Sequence, residues 1–97
     1  MFNDVDCRSL AEQCLARIAH QCGEDLVLMA RPFETLATLA YTYQTSDFVA
    51  TGDFTHALTG TGPILVSKLN GAVEVAGTAL PVEDYIREFE AKNTWSA

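Results

Sequence analysis

The fold is decided by the stretch 64-ILVSKLNGAVEVA-76, in which Asn70-Gly71 separates two runs of strand-forming residues. Asn-Gly between such runs favours a two-residue type I′ turn, because both central residues of that turn need positive φ. This turn predicts that Leu69 pairs with Ala72, which fixes the register of a β-hairpin. Since side chains alternate along a strand, one face carries Ile64, Val66, Val73 and Val75, with Lys68 at its tip. The other face carries Leu65, Ser67, Leu69, Ala72, Glu74 and Ala76.

Two further strands are predicted upstream of this hairpin. Leu26 to Ala30 form an apolar run that ends near Pro32, because proline cannot donate to a strand ladder. Residues 36–44 alternate between two faces, which predicts a second strand. Its odd face carries Leu39, Tyr41 and Tyr43, and its even face carries Leu36, Thr38, Ala40 and Thr42.

The connection between this strand and the hairpin is predicted to be irregular. Residues 44–53 are polar and contain Thr51-Gly52-Asp53, which indicates a loop. One helical turn is expected at Phe54, Ala57 and Leu58, before 60-GTGP-63 interrupts it.

A helix is predicted at each end of the chain. From Cys7 to Cys22 apolar residues recur at helical spacing, with Asp4 or Asp6 as the N-terminal cap and Gly23 as the stop. That stripe consists of Cys7, Leu10, Ala11, Cys14, Leu15, Ile18, Ala19 and Cys22. Pro81 suits the first position of the last helix.

The acidic residues Glu83 and Asp84 fall in the first turn of that last helix, where the helix dipole favours negative charge. Glu83 and Arg87 are spaced as an i, i+4 ion pair. We therefore expect one α+β domain over residues 1–97, with residues 1–5 and 93–97 frayed. It has an N-terminal helix, a four-stranded, mostly antiparallel sheet including the Asn70-Gly71 hairpin, and a C-terminal helix, with both helices on one face of the sheet.

Composition bounds the function of the chain. It has 97 residues, 48% of them apolar and 20% charged, which fits one small domain with a core. It carries 13 acidic and 6 basic side chains, a net charge of −7. Phosphate contacts and anionic lipid surfaces require a surplus of Lys and Arg, so we expect neither nucleic acid nor a membrane as partner, whereas a basic protein is permitted. The acidic N-terminus lacks a secretory signal, so a cytoplasmic location is expected.

No constellation of residues predicts catalysis, a cofactor or a metal site. Cys7, Cys14 and Cys22 lie about 10 and 12 Å apart along a helix axis, too far for a disulfide, and we interpret them as small buried hydrophobes, with a redox role as the alternative. A thiol enzyme using His20 is disfavoured, because residues two or six apart on a helix do not converge. Asp84 and Glu88 share a helix face, which is typical of a solvated surface.

A family resemblance is carried by residues 48–92. Its motifs are 60-GTGP-63 before a strand, the hairpin turn 70-NG-71, 77-GTALP-81, and Tyr85 in the following helix. This segment resembles the immunity protein 35 family, also called the YrhB domain, whose members show these motifs in the same order. Thr38-Leu39 stands where members often have Gly-Trp.

The resemblance implies a small, non-enzymatic bacterial protein that neutralises a toxin encoded beside it. A chaperone-like or general protein-interaction role is the alternative that the resemblance also implies, and an enzyme of unknown class is a distant third. The motif residues are interpreted as scaffold, with Gly77 placed for a bulge or a close approach. They are Gly62, Pro63, Asn70, Gly71, Gly77, Thr78, Pro81 and Tyr85.

Two surfaces are candidates for binding the toxin. If both helices cover one sheet face, the opposite face is left uncovered as an interface; the alternative is that one helix covers each face. That face carries Thr38, Ala40, Thr42, Leu65, Ser67, Leu69, Ala72, Glu74 and Ala76. The second candidate joins the loop residues Asp47, Thr51 and Asp53 to the acidic helix residues Glu83, Asp84, Glu88 and Glu90, with plain solvation as the alternative. A homodimer through the sheet is left open.

Overall fold

A computed structural model describes residues 2–29, 31–53 and 62–93, and it confirms the α+β class. The helices are α1 (Asp4–Cys22), α2 (Ser46–Thr51) and α3 (Val82–Asn93). The strands are β1 (Leu26–Leu28), β2 (Phe33–Glu34), β3 (Thr38–Tyr41), β4 (Tyr43–Thr45), β5 (Ile64–Ser67) and β6 (Val73–Val75). The helical turn predicted at Phe54, Ala57 and Leu58 lies outside the described residues.

The strands form an antiparallel four-stranded sheet in the order β2-β3-β5-β6 and a separate two-stranded ribbon of β1 and β4. The prediction of a four-stranded antiparallel sheet is confirmed, but β1 is not part of it and β2, which was not predicted, takes its place. The single strand predicted over residues 36–44 is wrong, because the chain leaves the sheet at Thr42 and its two halves pair with different partners. Local alternation cannot reveal this, since it continues unbroken through the switch.

The hairpin forms, but its predicted turn is wrong. Ser67 lies opposite Ala72, with its N–H donating to the Ala72 carbonyl at 2.9 Å, and residues 68–71 make a four-residue loop. A type I′ turn needs positive φ at both Asn70 and Gly71. Gly71 has a φ of 73°, but the φ of Asn70 is not positive, since among the described residues only glycines have positive φ. A type I′ turn at Asn70-Gly71 is therefore excluded. The Ser67 hydroxyl accepts from the N–H of Leu69 at 3.2 Å and so stabilises the wider loop.

The predicted assignment of side chains to the two faces of the hairpin is correct although the predicted turn is wrong. The register moves by two residues, and an even shift keeps every side chain on its face. Val66 pairs with Val73 and Ile64 with Val75, as that assignment requires.

Two hydrophobic clusters occupy opposite faces of the sheet, so the prediction that both helices cover one face is wrong. The α1 face contains Cys7, Ala11, Cys14 and Leu15 packed against Leu39, Tyr41, Ile64 and Val66. The α3 face contains Ile86 and Phe89 packed against Ala40, Leu65 and Ala76. The alternative in which one helix covers each face is therefore the observed arrangement.

The ends of the helices differ in detail from the predictions. The N-terminal cap of α1 is Asn3, whose side chain accepts from the Asp6 N–H, so neither Asp4 nor Asp6 is the cap. Gly23 ends α1 as predicted. α1 begins at Asp4, and the Phe2 N–H donates to the Lys68 carbonyl. The fraying of residues 1–5 and 93–97 stays a prediction, since Met1 and residues 94–97 lie outside the described residues.

The segment predicted as a loop over residues 44–53 contains the last two residues of β4 and the short helix α2. Thr45 caps α2 by accepting from the Phe48 N–H, and Gly52 ends it. At the last helix, Pro81 precedes α3 instead of being its first residue.

Candidate functional site

The sheet face that was predicted to be uncovered lies largely beneath α3. Leu65 is 0% exposed and Ser67 is 1% exposed, so neither side chain can contact a partner. Leu69 is exposed in the hairpin loop, and the Glu74 carboxylate is paired with the Lys92 ammonium at 2.6 Å. The hypothesis of a broad interface on this face is wrong, because α3 covers it.

Three of the predicted binding residues lie on α2 or just beyond it, with Asp47 in the first turn, Thr51 at the last position and Asp53 two residues later. Asp47, Thr51 and Asp53 are all exposed. The Thr51 hydroxyl donates to the Asp47 carbonyl at 2.8 Å and accepts from the Asp53 N–H at 3.1 Å. Thr51 therefore orders the end of α2, while the carboxylate of Asp47 is available at the surface.

The outer side of α3 presents a second acidic surface. Glu83 and Glu88 are exposed, and Asp84 is half-buried. Arg87 pairs with Asp84 at 3.1 Å, so the predicted Glu83–Arg87 pair is wrong. At i, i+3 spacing Asp84 reaches the guanidinium within the same helix face.

Glu90 does not belong to that acidic surface. Its Oε2 accepts hydrogen bonds from the hydroxyls of Thr35 and Thr38 at 2.5 and 2.7 Å. The carboxylate thus fastens α3 to the β2–β3 hairpin. The prediction that Glu90 belongs to the acidic binding face of the last helix is wrong, because its carboxylate is bound to Thr35 and Thr38.

Two motif glycines lie where the backbone approaches other groups closely. A Cβ on Gly77 would lie 2.8 Å from the Tyr85 hydroxyl, which confirms the predicted close approach. That hydroxyl accepts from the N–H groups of Ala79 and Leu80, so Tyr85 holds the turn containing Thr78. A Cβ on Gly62, just before Pro63, would collide with the Ala76 carbonyl.

The three cysteines differ in exposure. Cys7 and Cys14 are buried as predicted, whereas Cys22 is exposed at the end of α1. Burial, with a smaller contribution from Asp4, raises the pKa of the Cys7 thiol, which keeps it protonated and weakly nucleophilic. Among residues 2–29, 31–53 and 62–93, no group of three or more His, Cys, Asp or Glu side chains could hold a metal ion. The helices in those ranges are also too short or too polar to cross a bilayer.

The structure contains a cavity that was not predicted from the sequence. It lies between the first turns of α1 and the β2–β3 hairpin and has a volume of about 430 Å³. It is lined by Asp4, Arg8, Arg31, Pro32, Glu34, Leu39 and Tyr41. Burial, assisted by Cys7, raises the pKa of the Tyr41 phenol to about 12, so Tyr41 is neutral at physiological pH. Sequence reasoning missed the cavity because β2 was not predicted and because its residues are scattered along the chain.

Comparison with known proteins gives one partial similarity. Over 52 residues the chain is 33% identical to the uncharacterized protein YrhB of Escherichia coli strain K12. The match covers 54% of this chain and 55% of that protein, so the chain spans about half the length of the curated relative it matches. No family model matches the chain, and no solved structure matches it.

Proposed function

We propose that the chain is a member of the immunity protein 35 family that binds and neutralises a cognate bacterial toxin by occluding its active site or its substrate route. The motifs of residues 48–92 support this proposal, as does the partial similarity to YrhB of Escherichia coli. The observation that carries it is the exposure, on two helices, of acidic side chains that take part in none of the ion pairs among the residues that the structure describes. They are Asp47 on α2 and Glu83 and Glu88 on α3.

Charge explains how such a surface would act. The chain carries a net charge of −7, and exposed carboxylates attract a basic partner over a distance of about a Debye length. Surface charges of this kind raise the rate of association and select the partner, whereas the covered area keeps substrate out. Inhibition by coverage needs no reaction by this chain.

The first test is co-expression with the product of the neighbouring gene. We expect a stable complex that co-purifies and a toxin that is inactive in it. If the two proteins do not associate and the chain does not protect cells from the toxin, the proposed function is wrong.

The second test asks whether the acidic helices make the contact. Asp47→Asn and Glu83→Gln each remove one exposed charge without changing the shape of the side chain. Glu12→Gln is the matched control, because Glu12 is an exposed carboxylate on α1, on the other side of the sheet. We expect the first two variants to associate more slowly at low salt and to converge with the parent at high salt. Equal association of all three variants would contradict the electrostatic surface.

A chaperone-like protein-interaction role is the second candidate. Leu36 is 96% exposed at the tip of the β2–β3 hairpin and Phe33 in β2 is 45% exposed, so this hairpin offers apolar side chains to an unfolded chain. Suppression of the aggregation of unrelated client proteins, lost in Leu36→Ser, would favour this role. A chain that protects only against its own toxin favours immunity.

A further inference from the structure

The cavity between α1 and the β2–β3 hairpin has the properties of a ligand pocket. Its volume of about 430 Å³ falls within the range typical of small-molecule sites, roughly 300 to 1,000 Å³. Its accessible apolar surface includes the half-buried Pro32, while Leu39 and Tyr41, 1% and 2% exposed, form the floor. Leu39 and Tyr41 belong to β3, the second strand of the four-stranded sheet, so this floor is held rigidly.

Two arginines line the same cavity. Arg31 takes part in none of the four ion pairs formed among the described residues. Arg8 has a carboxylate partner in Glu12, but the two charged atoms are 3.9 Å apart and both side chains are about half exposed, so this pair is weak. Guanidinium groups are therefore available at the rim of an apolar pocket, in a chain that is otherwise strongly acidic.

The carboxylates of the cavity do not cancel these charges. Glu34 is bound by the Lys68 ammonium, which also donates to the Thr35 carbonyl at 2.9 Å. Asp4 lies in the first turn of α1, where the positive end of the helix dipole offsets its charge. The lining thus holds two arginines and two carboxylates, and one of the carboxylates, Glu34, is already neutralised by Lys68 from outside the lining.

We propose that this pocket binds a monocarboxylate with an apolar body, its carboxylate held by the Arg31 and Arg8 side chains and its body placed against Pro32, over the floor formed by Leu39 and Tyr41. Arg is suited to this role because its planar guanidinium can form two parallel hydrogen bonds with one carboxylate. The neutral Tyr41 phenol adds a donor without adding negative charge. The same chemistry occurs in free aryl or alkyl acids and in the last residue of a peptide with an apolar side chain. The site is separate from the acidic surfaces of α2 and α3, and it stands whether or not the chain neutralises a toxin.

Binding is tested with one free carboxylic acid and one peptide that has a free C-terminus. The free acid is 3-phenylpropionate, and its uncharged control is 3-phenylpropionamide. The peptide probe is Gly-Gly-Phe with a free C-terminus, and its control is the same peptide with an amidated C-terminus. Amide chemical shifts of the isotope-labelled chain report both the affinity and the place of binding.

The variants separate the site from general charge effects. Arg31→Gln removes the proposed ligand contact from an exposed side chain, so the fold is expected to persist. Arg17→Gln is the matched control, because Arg17 also takes part in none of those ion pairs but lies on α1 outside the cavity lining.

We expect saturable shifts at Phe33, Leu39 and Tyr41 with the acids, and binding at least about tenfold weaker with the amides and in Arg31→Gln, as the loss of a charged hydrogen bond implies. Arg17→Gln should bind like the parent. Tighter binding of the tripeptide identifies a peptide terminus as the source, and tighter binding of 3-phenylpropionate identifies a free acid. The proposal is overturned if no probe gives saturable shifts, if acid and amide bind equally, or if Arg31→Gln binds as well as the parent.

Discussion

The attachment of α3 to the sheet through Glu90 leads to a quantitative prediction. Thr38 is fully buried, and its hydroxyl donates to the Glu90 carboxylate at 2.7 Å. Thr38→Val keeps the shape of the side chain and removes only this donor. A hydrogen bond to a charged group contributes about 1.5 to 3 kcal/mol to stability. Because Thr35 still donates to the same oxygen, the carboxylate is not left without a partner, so we expect a loss near the lower end, about 1.5 kcal/mol.

The assay is urea unfolding followed by far-ultraviolet circular dichroism. In a thermal scan of a domain of this size, the same loss of about 1.5 kcal/mol appears as a fall in Tm of roughly 6 to 12 °C. Thr42→Val is the matched control, since Thr42 is exposed between β3 and β4, and surface substitutions usually change stability by less than about 0.5 kcal/mol.

A double-mutant cycle with Glu90→Gln isolates the interaction itself. Residues in direct contact show coupling energies of about 0.5 to 3 kcal/mol, and we expect about 1 kcal/mol between Thr38 and Glu90. If Thr38→Val is no less stable than Thr42→Val, or if its cost is unchanged in the Glu90→Gln background, the carboxylate does not fasten α3 as described.

Two further predictions concern the hairpin loop and the α1 core. Gly71→Ala should destabilise the chain more than Gly23→Ala does. Both glycines have a φ near 72°, but only at Gly71 would the new Cβ meet a side chain, 2.7 Å from the Phe2 ring. Equal losses of unfolding free energy in urea would show that the Phe2 ring moves aside without cost. The free energy of unfolding should fall as pH rises from about 10 to about 12, because the unfolded chain loses the Tyr41 proton first while burial retains it in the fold. The loss amounts to about 2 to 3 kcal/mol and should be absent from Tyr41→Phe. The same pH dependence of stability in Tyr41→Phe as in the parent would refute this prediction.

The candidate site could be predicted only in part. The exposure of Asp47 and Glu83 follows from polar residues in an acidic chain, and the structure agrees. Leu65 and Ser67 were assigned to a binding surface because alternation shows that they share a face, but not whether a helix covers that face. The cavity at Arg31 depends on β2, a strand of two residues that is too short to leave a periodic pattern.

What the sequence determined by itself is the set of local structures and their faces. Spacing along the chain is enough to make α1 amphipathic, and strict alternation places Ile64 and Val66 on one side of β5 whatever register the hairpin adopts. Pairing and covering were decided only in the tertiary structure. The Thr35 and Glu90 side chains that join β2–β3 to α3 are 55 residues apart, and Phe2 packs against a turn almost seventy positions away. Contacts at such separation depend on how whole elements pack, and no local periodicity records them.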